Sequence, residues 1–365
     1  MVIMAIDHTR EYFCPTLVRP EDIAHTSVPL FLTRWVTHFC APLFLFLSGV
    51  SACLYARTHT RGQTSVFLLT RGLWLVLFEL AVFNLILQWG MPLVLLSILW
   101  AIGWSMIFLA LFLWLPRWAQ LVVAIGAICL HNLLPVFNPT EEPSLLIPAL
   151  LHNPPFLFML GDKPVLSAYT VFPWAAVMLF GYAMGSFLAG PKKFVSRRTA
   201  LAGVIMLLVF MAIRATNAYG DPQEWGVSDR GGIYTVLSFF NVTKYPASFL
   251  FLLLTLSGGA LLWWLCARRP NRVTAFLEVY GRVPFFYFVL HFALVSAGSW
   301  LWTRLLFGRA INLAFTSVAE LPPGYNVSLA RLYLVWLIVV LLLYYPCKWF
   351  GNYKRAHRSW WLSYI

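Results

Sequence analysis

Charge is what this sequence has least of. Only 11% of its residues are Asp, Glu, Lys or Arg, against about 25% in an ordinary soluble domain. Acids are scarcer still, 13 in 365 residues. So little charge excludes a disordered chain and leaves too little polar surface to coat a soluble enzyme. The six cysteines (Cys14, Cys40, Cys53, Cys129, Cys266 and Cys347) form no CxxC pair and lie mostly in apolar runs. They read as small buried hydrophobes, which removes the disulfide-stapled secreted scaffold and the zinc module. No HxxxH or HxxEH spacing, phosphate-binding Gly loop or GxSxG element occurs, so no metal site is expected. A basic n-region with a small-residue cleavage site is also missing, and no signal peptide is expected.

What is present is apolar. Hydrophobic residues make up 61% of the chain, aromatics 17%, and the mean hydropathy is +0.77. The fold class expected is all-α, a polytopic helix bundle in a membrane. Runs long enough to cross a bilayer, about 20 residues each, cover 29–55, 65–89, 92–115, 118–137, 168–190, 199–219, 247–267, 275–302 and 329–347. Met1–Ile6 is apolar too, but spans only about 9 Å as a helix. Residues 1–13 are therefore read as the residual end of a first helix. That gives nine full helices plus a truncated one, ten in a complete protein, in a single membrane domain, 1–365. No internal repeat is evident, so the inverted-repeat signature of many transporters is not seen.

The net charge of +13 normally prompts a search for nucleic acid. Here it resolves into topology. The ends facing one side carry sixteen basic residues against one acid, Glu278, while the other side carries ten basic residues against eleven acids. The basic side is cytoplasmic by the positive-inside rule, so the C-terminus is inside. No nucleic-acid partner is expected. The loops placed outside, 7–28, 138–167, 220–246 and 303–328, are long, and long loops are where sites tend to be built. Within 138–167, Phe156–Leu160 reads as a re-entrant or interfacial segment. Two N-x-S/T sequons, Asn241 and Asn326, face outward.

Ionisable groups inside a membrane are costly and mark sites or partners. Asp7 and Arg10 share a helix face at i,i+3, as do His8 and Glu11. A carboxylate beside a histidine fixes its tautomer and raises its basicity, as a general base requires. A charge cluster capping a helix end accounts for the same residues. Arg34 and His38 are i,i+4 neighbours, and Pro42 leaves a carbonyl free. A snorkelling Arg and a satisfied buried His are the plainer reading. Ser48-Gly49 and Ser51-Ala52 offer small residues for close helix packing. His291 lies deep in an apolar helix, which favours its neutral form. His25 lies in an outer loop. His59 and His357 extend the cytoplasmic basic surface, and His131 and His152 have no clear role. Glu79 needs a partner from another helix or a proton, with structural glue as the default. Lys244 begins a helix on the outer side, where it binds an anionic or carbonyl group or snorkels.

Two stretches carry a family resemblance: Met4-Ala-Ile-Asp7-His8-Thr-Arg10-Glu-Tyr-Phe13 and Leu32-Thr-Arg34-Trp35-Val-Thr-His38-Phe-Cys-Ala-Pro42, running on to Gly49. Phe172-Pro-Trp174, Gly181-Tyr182, Asn241-Val-Thr-Lys244-Tyr-Pro246, Gly281-Arg282-Val-Pro284 to His291, and Trp360-Trp361-Leu-Ser-Tyr364 continue it. The chain resembles the bacterial membrane family with a heparan-α-glucosaminide N-acetyltransferase-like catalytic domain. That family usually opens on a D-x-x-R-G stretch, which is missing here.

The resemblance implies a bacterial inner-membrane protein that moves an acyl group, acetyl by analogy, from cytosolic acetyl-CoA to an amine or hydroxyl of an envelope sugar or related acceptor outside. It implies His8, His25, His38 and His291 as catalytic candidates, His25 by order and spacing along the chain. Asp7, Arg10, Arg34 and Lys244 stand in support, with Arg34 or a backbone N–H at the developing oxyanion. Arg268, Arg269, Arg272 and Arg282 are candidates for the CoA phosphates, although positive-inside topology explains them equally well. The lipid bilayer and a glycan or small-molecule acceptor are the partners, and a homo-oligomer is compatible. Two readings compete with the enzyme. A transporter or permease would use the same His and Arg groups around a midplane cavity, and a non-catalytic membrane subunit would not use them at all.

Overall fold

A computed structural model of the protein describes residues 1–16, 18–139, 141–190, 192–268, 271–317, 320–357 and 359–364, with backbone alone at 192–195. It is mostly helical. Helix α1 (Val2–Phe13) is followed by α2 (Val28–Trp35), a 3-10 turn at Val36–Phe39, and α3 (Cys40–Ala56). Ser27 caps α2 through Leu30 N–H. The 3-10 turn falls where Pro42 has no N–H for the carbonyl of His38.

Helix α4 (Arg61–Phe78) starts on a capping box, Thr60 with Gln63. It continues through a π-helical turn at Glu79–Phe83 into α5 (Asn84–Gln88). Strand β1 (Val94–Leu96), α6 (Ile98–Phe112), α7 (Arg117–Leu130) and α8 (Leu146–His152) follow. Next come β2 (Phe156–Leu160), β3 (Lys163–Ser167), α9 (Trp174–Leu188), α10 (Lys192–Thr216) and α11 (Gly232–Phe240). The chain closes with α12 (Phe249–Arg268), α13 (Arg272–Gly281), α14 (Pro284–Phe307) and α15 (Leu329–Ala356).

Among the described residues, six helical runs are long and apolar enough to cross a membrane: Val28–Ala56, Arg61–Gln88, Ser196–Thr216, Phe249–Arg268, Pro284–Phe307 and Leu329–Ala356. Three more, α6, α7 and α9, occupy other expected spans. At 15, 14 and 15 residues they reach only about 21–23 Å. The expected 275–302 span is broken before Pro284 into α13 and α14. Proline lacks the N–H that a continuous helix needs there.

The expectation of a purely helical chain needs one correction. Strands β1, β3 and β2 form a three-stranded sheet, with β2 antiparallel to β3 and β1 parallel to it. Phe156–Leu160 is thus a hairpin strand, not a re-entrant segment. Gly161 takes φ +60° in the two-residue loop between Leu160 and its partner Lys163, the geometry that tight hairpins require.

Glycines set two helix crossings. A Cβ on Gly49 would lie 2.0 Å from the Met178 carbonyl oxygen, and one on Gly181 2.1 Å from that of Phe46. α3 and α9 therefore touch backbone to backbone, the close approach small residues permit. Gly72 and Gly103 do the same for α4 and α6, at 2.6 and 2.7 Å.

The end of α1 is held from the far end of the chain. Ser299 donates to the Tyr12 carbonyl at 2.9 Å, Arg331 Nε to that of Phe13 at 2.8 Å, and Tyr12 hydroxyl to Leu87 O at 2.6 Å. These bonds satisfy carbonyls that a helix end leaves without partners.

Candidate active site

Helix α1 and the α2–α3 run place their polar residues against each other. Asp7 accepts from Arg10 Nη2 at 3.2 Å and Nε at 3.3 Å, and from Arg34 Nη1. Arg34 also donates through Nε to Glu21 at 2.7 Å. Asp7 and Arg34 are each only 8% exposed by side chain, so Arg34 does not snorkel. Buried charges persist only when paired, and this triad meets that condition. Glu21 lies in the loop before α2. Burial alone would raise its carboxyl, but Arg34 beside it holds it below the usual carboxylate range.

His8 stands one position along α1. Its Nδ1 is 3.1 Å from Glu11 Oε2; a carboxylate only accepts, so Nδ1 carries a hydrogen, and in the neutral imidazole Nε2 is the lone-pair nitrogen. The ring is 5.4 Å from that of His291 and 4.1 Å from that of Phe292. His291 is fully buried, with Nδ1 3.1 Å from the Tyr287 carbonyl oxygen. A carbonyl only accepts, so that nitrogen carries the hydrogen. Nε2 is then bare, and it has no hydrogen-bond partner among the described residues. His38, on the 3-10 turn, is 3% exposed, and neither of its ring nitrogens has a partner among the described residues. Thr9 Oγ1 and Tyr287 hydroxyl are in the same condition. Buried polar atoms without partners are rare in proteins; those of Thr9, His38, Tyr287 and His291 belong to α1, the 3-10 turn and α14, while others lie on α4, α6, α7 and α8.

Lys244 turns inward rather than toward the surface. It is 9% exposed, with Nζ 5.0 Å from the Tyr245 ring and 5.8 Å from that of Tyr169. Asp7 and His38 both lie within its electrostatic reach. Tyr245 donates to the Tyr169 hydroxyl at 3.2 Å. Burial would raise the Tyr245 phenol, but Lys244 and Arg34 hold it lower.

His25 stands apart from this group. It is 69% exposed by side chain, with Nδ1 2.8 Å from Asp22. This is the same carboxylate–imidazole pairing as in His8–Glu11, but in solvent.

The candidate CoA arginines that are described, Arg268, Arg272 and Arg282, are all exposed. Arg268 is exposed, 5.0 Å over the Trp264 ring. Arg272 is exposed at the start of α13, and Arg282 pairs with Glu278 at 2.9 Å. Arg269 lies outside the described residues. Among the described residues no group of three metal-ligating side chains occurs.

Glu79 is a helix cap. Its carboxylate accepts from the N–H groups of Ser97 and Trp100 at the start of α6, the structural role expected by default. Of the two sequons, Asn241 donates its amide to Glu21 O at 2.8 Å, and Asn326 accepts from Arg331 at 3.1 Å. His59 and His357 stack on Tyr55 and Tyr353 near the basic helix ends.

Sequence reasoning missed Glu21, Tyr169 and Tyr245. Glu21 carried a faint signal, as an acid in a loop beside a helix with an unmatched Arg. The tyrosines carried none.

These features define an integral membrane protein with a buried, ion-paired histidine site. The family described as "Heparan-alpha-glucosaminide N-acetyltransferase, catalytic" matches residues 1–219, and the chain belongs to that family of transmembrane acetyltransferases. No curated protein and no solved structure matches the chain. The matched stretch contains His8, His25 and His38, and Lys244 and His291 lie beyond it.

Proposed function

We propose that the protein transfers an acyl group, acetyl in the first instance, from cytosolic acyl-CoA to an amine or hydroxyl of an envelope sugar or related acceptor on the outer side. Nine helices cross the bilayer in this reading, and the C-terminus is cytoplasmic in a bacterial inner membrane. The observation that carries it is His8, paired through Nδ1 with Glu11 at 3.1 Å and with its ring 5.4 Å from that of the buried His291.

His8 Nε2 takes the proton of the acceptor N–H or O–H as that atom attacks the thioester carbon. The new C–N or C–O bond forms, the C–S bond breaks, and His8 returns the proton to the departing thiolate. Arg34 is already spent on Asp7 and Glu21, so it serves as scaffold. Lys244, which has no carboxylate within 4.0 Å among the described residues, suits the developing oxyanion better. His38 and His291 line the buried side of the site. His25, with Nδ1 on Asp22, presents Nε2 to the acceptor at the outer face. Arg268 and Arg272 supply cations for the CoA phosphates.

Purified protein in detergent, given acetyl-labelled acetyl-CoA and glucosamine as the probe acceptor, tests this. Label on the sugar with wild type, and its loss in His8→Ala, is the expected result. The proposal fails if CoA does not bind and His8→Ala and His38→Ala match wild type in an envelope acylation assay.

A further inference from the structure

A second buried ion cluster lies where α10 ends. Arg214 in its last turn is 2% exposed and spends its guanidinium on carbonyl oxygens: Phe239 at 3.0 Å, Gln223 at 2.6 Å, Ser238 at 3.3 Å and Asn241 at 2.9 Å. An arginine at this depth normally snorkels to the interface. This one ties down the 220–246 loop instead.

Seven residues on, Asp221 is 1% exposed by side chain and 4.0 Å from Arg214 Nη1. Its carboxylate accepts from the Thr243 N–H and hydroxyl, both at 2.8 Å, and from the Ser248 hydroxyl at 2.6 Å. Those bonds grip both feet of one turn, and the turn carries Lys244, Tyr245 and Pro246. Within it Lys244 pairs with Ala247 across an isolated bridge. His131 Nε2 meets the Ala247 carbonyl oxygen at 2.8 Å. The preceding residues reach the other wall of the site. Trp35 Nε1 donates to Phe240 O at 3.1 Å, and Asn241 donates to the carbonyl of Glu21, the partner of Arg34.

We infer that Arg214 and Asp221 are positioning residues, which hold the 243–248 turn so that Lys244 and Tyr245 face the Asp7–Arg34 pair. Neither touches the reacting groups. The inference rests on the acyl-transfer reading of that site.

Asp221→Ala and Asp221→Asn in the full-length protein test it. Asn keeps an oxygen at the Oδ2 position for the Thr243 N–H and the Ser248 hydroxyl but turns its amide toward the Gln223 N–H, so it rescues in part. Hydrogen exchange by mass spectrometry is the first readout. In Asp221→Ala, amides of 242–249 exchange about tenfold faster while those of α12 beyond Leu252 do not change, as expected for a local opening. The second readout is a mutant cycle in acyl transfer. Asp221→Ala lowers kcat about tenfold through misplacement, and adds nothing further to Lys244→Met.

Unchanged exchange over 242–249 in Asp221→Ala overturns the inference. So do independent, multiplicative losses with Lys244→Met, the mark of a general structural defect. Thr243→Val, which removes one hydroxyl partner, gives the same effects at smaller amplitude and serves if Asp221→Ala does not fold. If wild type transfers no acyl group, the proposed function fails, and the exchange readout still decides the clamp.

Discussion

Replacing Asp7 by Asn removes the charge on which two buried guanidiniums converge. Removing one partner of a buried ion pair costs about 3–5 kcal/mol, because the other charge is left unpaired. Here the loss is cushioned. Arg34 retains Glu21 at 2.7 Å, Arg10 retains Glu11 at 3.6 Å, and Asn keeps one acceptor oxygen. The expected cost is therefore the lower end, about 3 kcal/mol. It is read as a lowered midpoint for unfolding in mixed detergent micelles. A second change makes the argument sharper. Asp7→Asn and Arg34→Met each lose the same Asp7–Arg34 pair, so the double variant should be more stable than the sum of the single losses by at least about 1.5 kcal/mol. The exposed Asp22–His25 pair is the internal control, and Asp22→Asn should leave the midpoint where it was. A wild-type midpoint in Asp7→Asn, or strict additivity with Arg34→Met, would refute the account of the triad as a buried, mutually dependent unit.

The other expectations concern chemistry, packing and pH. His8→Ala should lower the transfer rate by roughly 10²–10⁴, the usual worth of a general base; His25→Ala should instead raise KM for the acceptor with kcat near wild type, and a matched loss of kcat in both variants would contradict their separate placement. Gly49→Ala puts a methyl on the Met178 carbonyl and should cost about 1–3 kcal/mol in the same detergent titration, as overpacking does. Gly62→Ala, where nothing lies within 4 Å of the added carbon, should cost nothing. Glu21 has its carboxyl held below the usual range by Arg34, so its contribution is complete above that range and is lost only as pH falls through the depressed value. The Glu21 contribution should thus be constant from neutral pH down to the ordinary carboxylate range, and Glu21→Gln should remove part of the acid-side fall below it.

Much of this arrangement was legible in the chain. Hydropathy located the helices because a membrane demands long apolar segments with internal hydrogen bonding. The i,i+3 spacings placed Asp7 with Arg10 and His8 with Glu11 on common faces, since those offsets are fixed by helix geometry. Gly49 was legible as a packing residue for the same reason. What could not be read were contacts made across hundreds of residues. Nothing local says that Lys244 turns inward past Tyr169, or that Arg34 is answered by a glutamate thirteen residues before it. The sheet was readable in part: Gly161-Asp162 between apolar runs is a hairpin signal, but β3 also pairs with β1, some seventy residues earlier. The 3-10 turn at Val36–Phe39 and the π turn at Glu79–Phe83 are shifts in hydrogen-bond register that hydropathy does not report. His25 resembled its fellow histidines in sequence, and only burial separates it from them.

The bonds that close the end of α1 bear on how the chain is divided. Tyr12 and Phe13 hand their carbonyls to Ser299 and Arg331, both well past residue 219, where the family match ends. Those same C-terminal helices bring His291, and the turn before α12 brings Lys244. The stretch that carries the family signature therefore holds half of an interlocked device. Expressed alone, it would present His8 and Asp7 on a helix with two anchors gone and no opposite wall. The structural unit that holds these residues together runs past the family match, at least as far as Arg331.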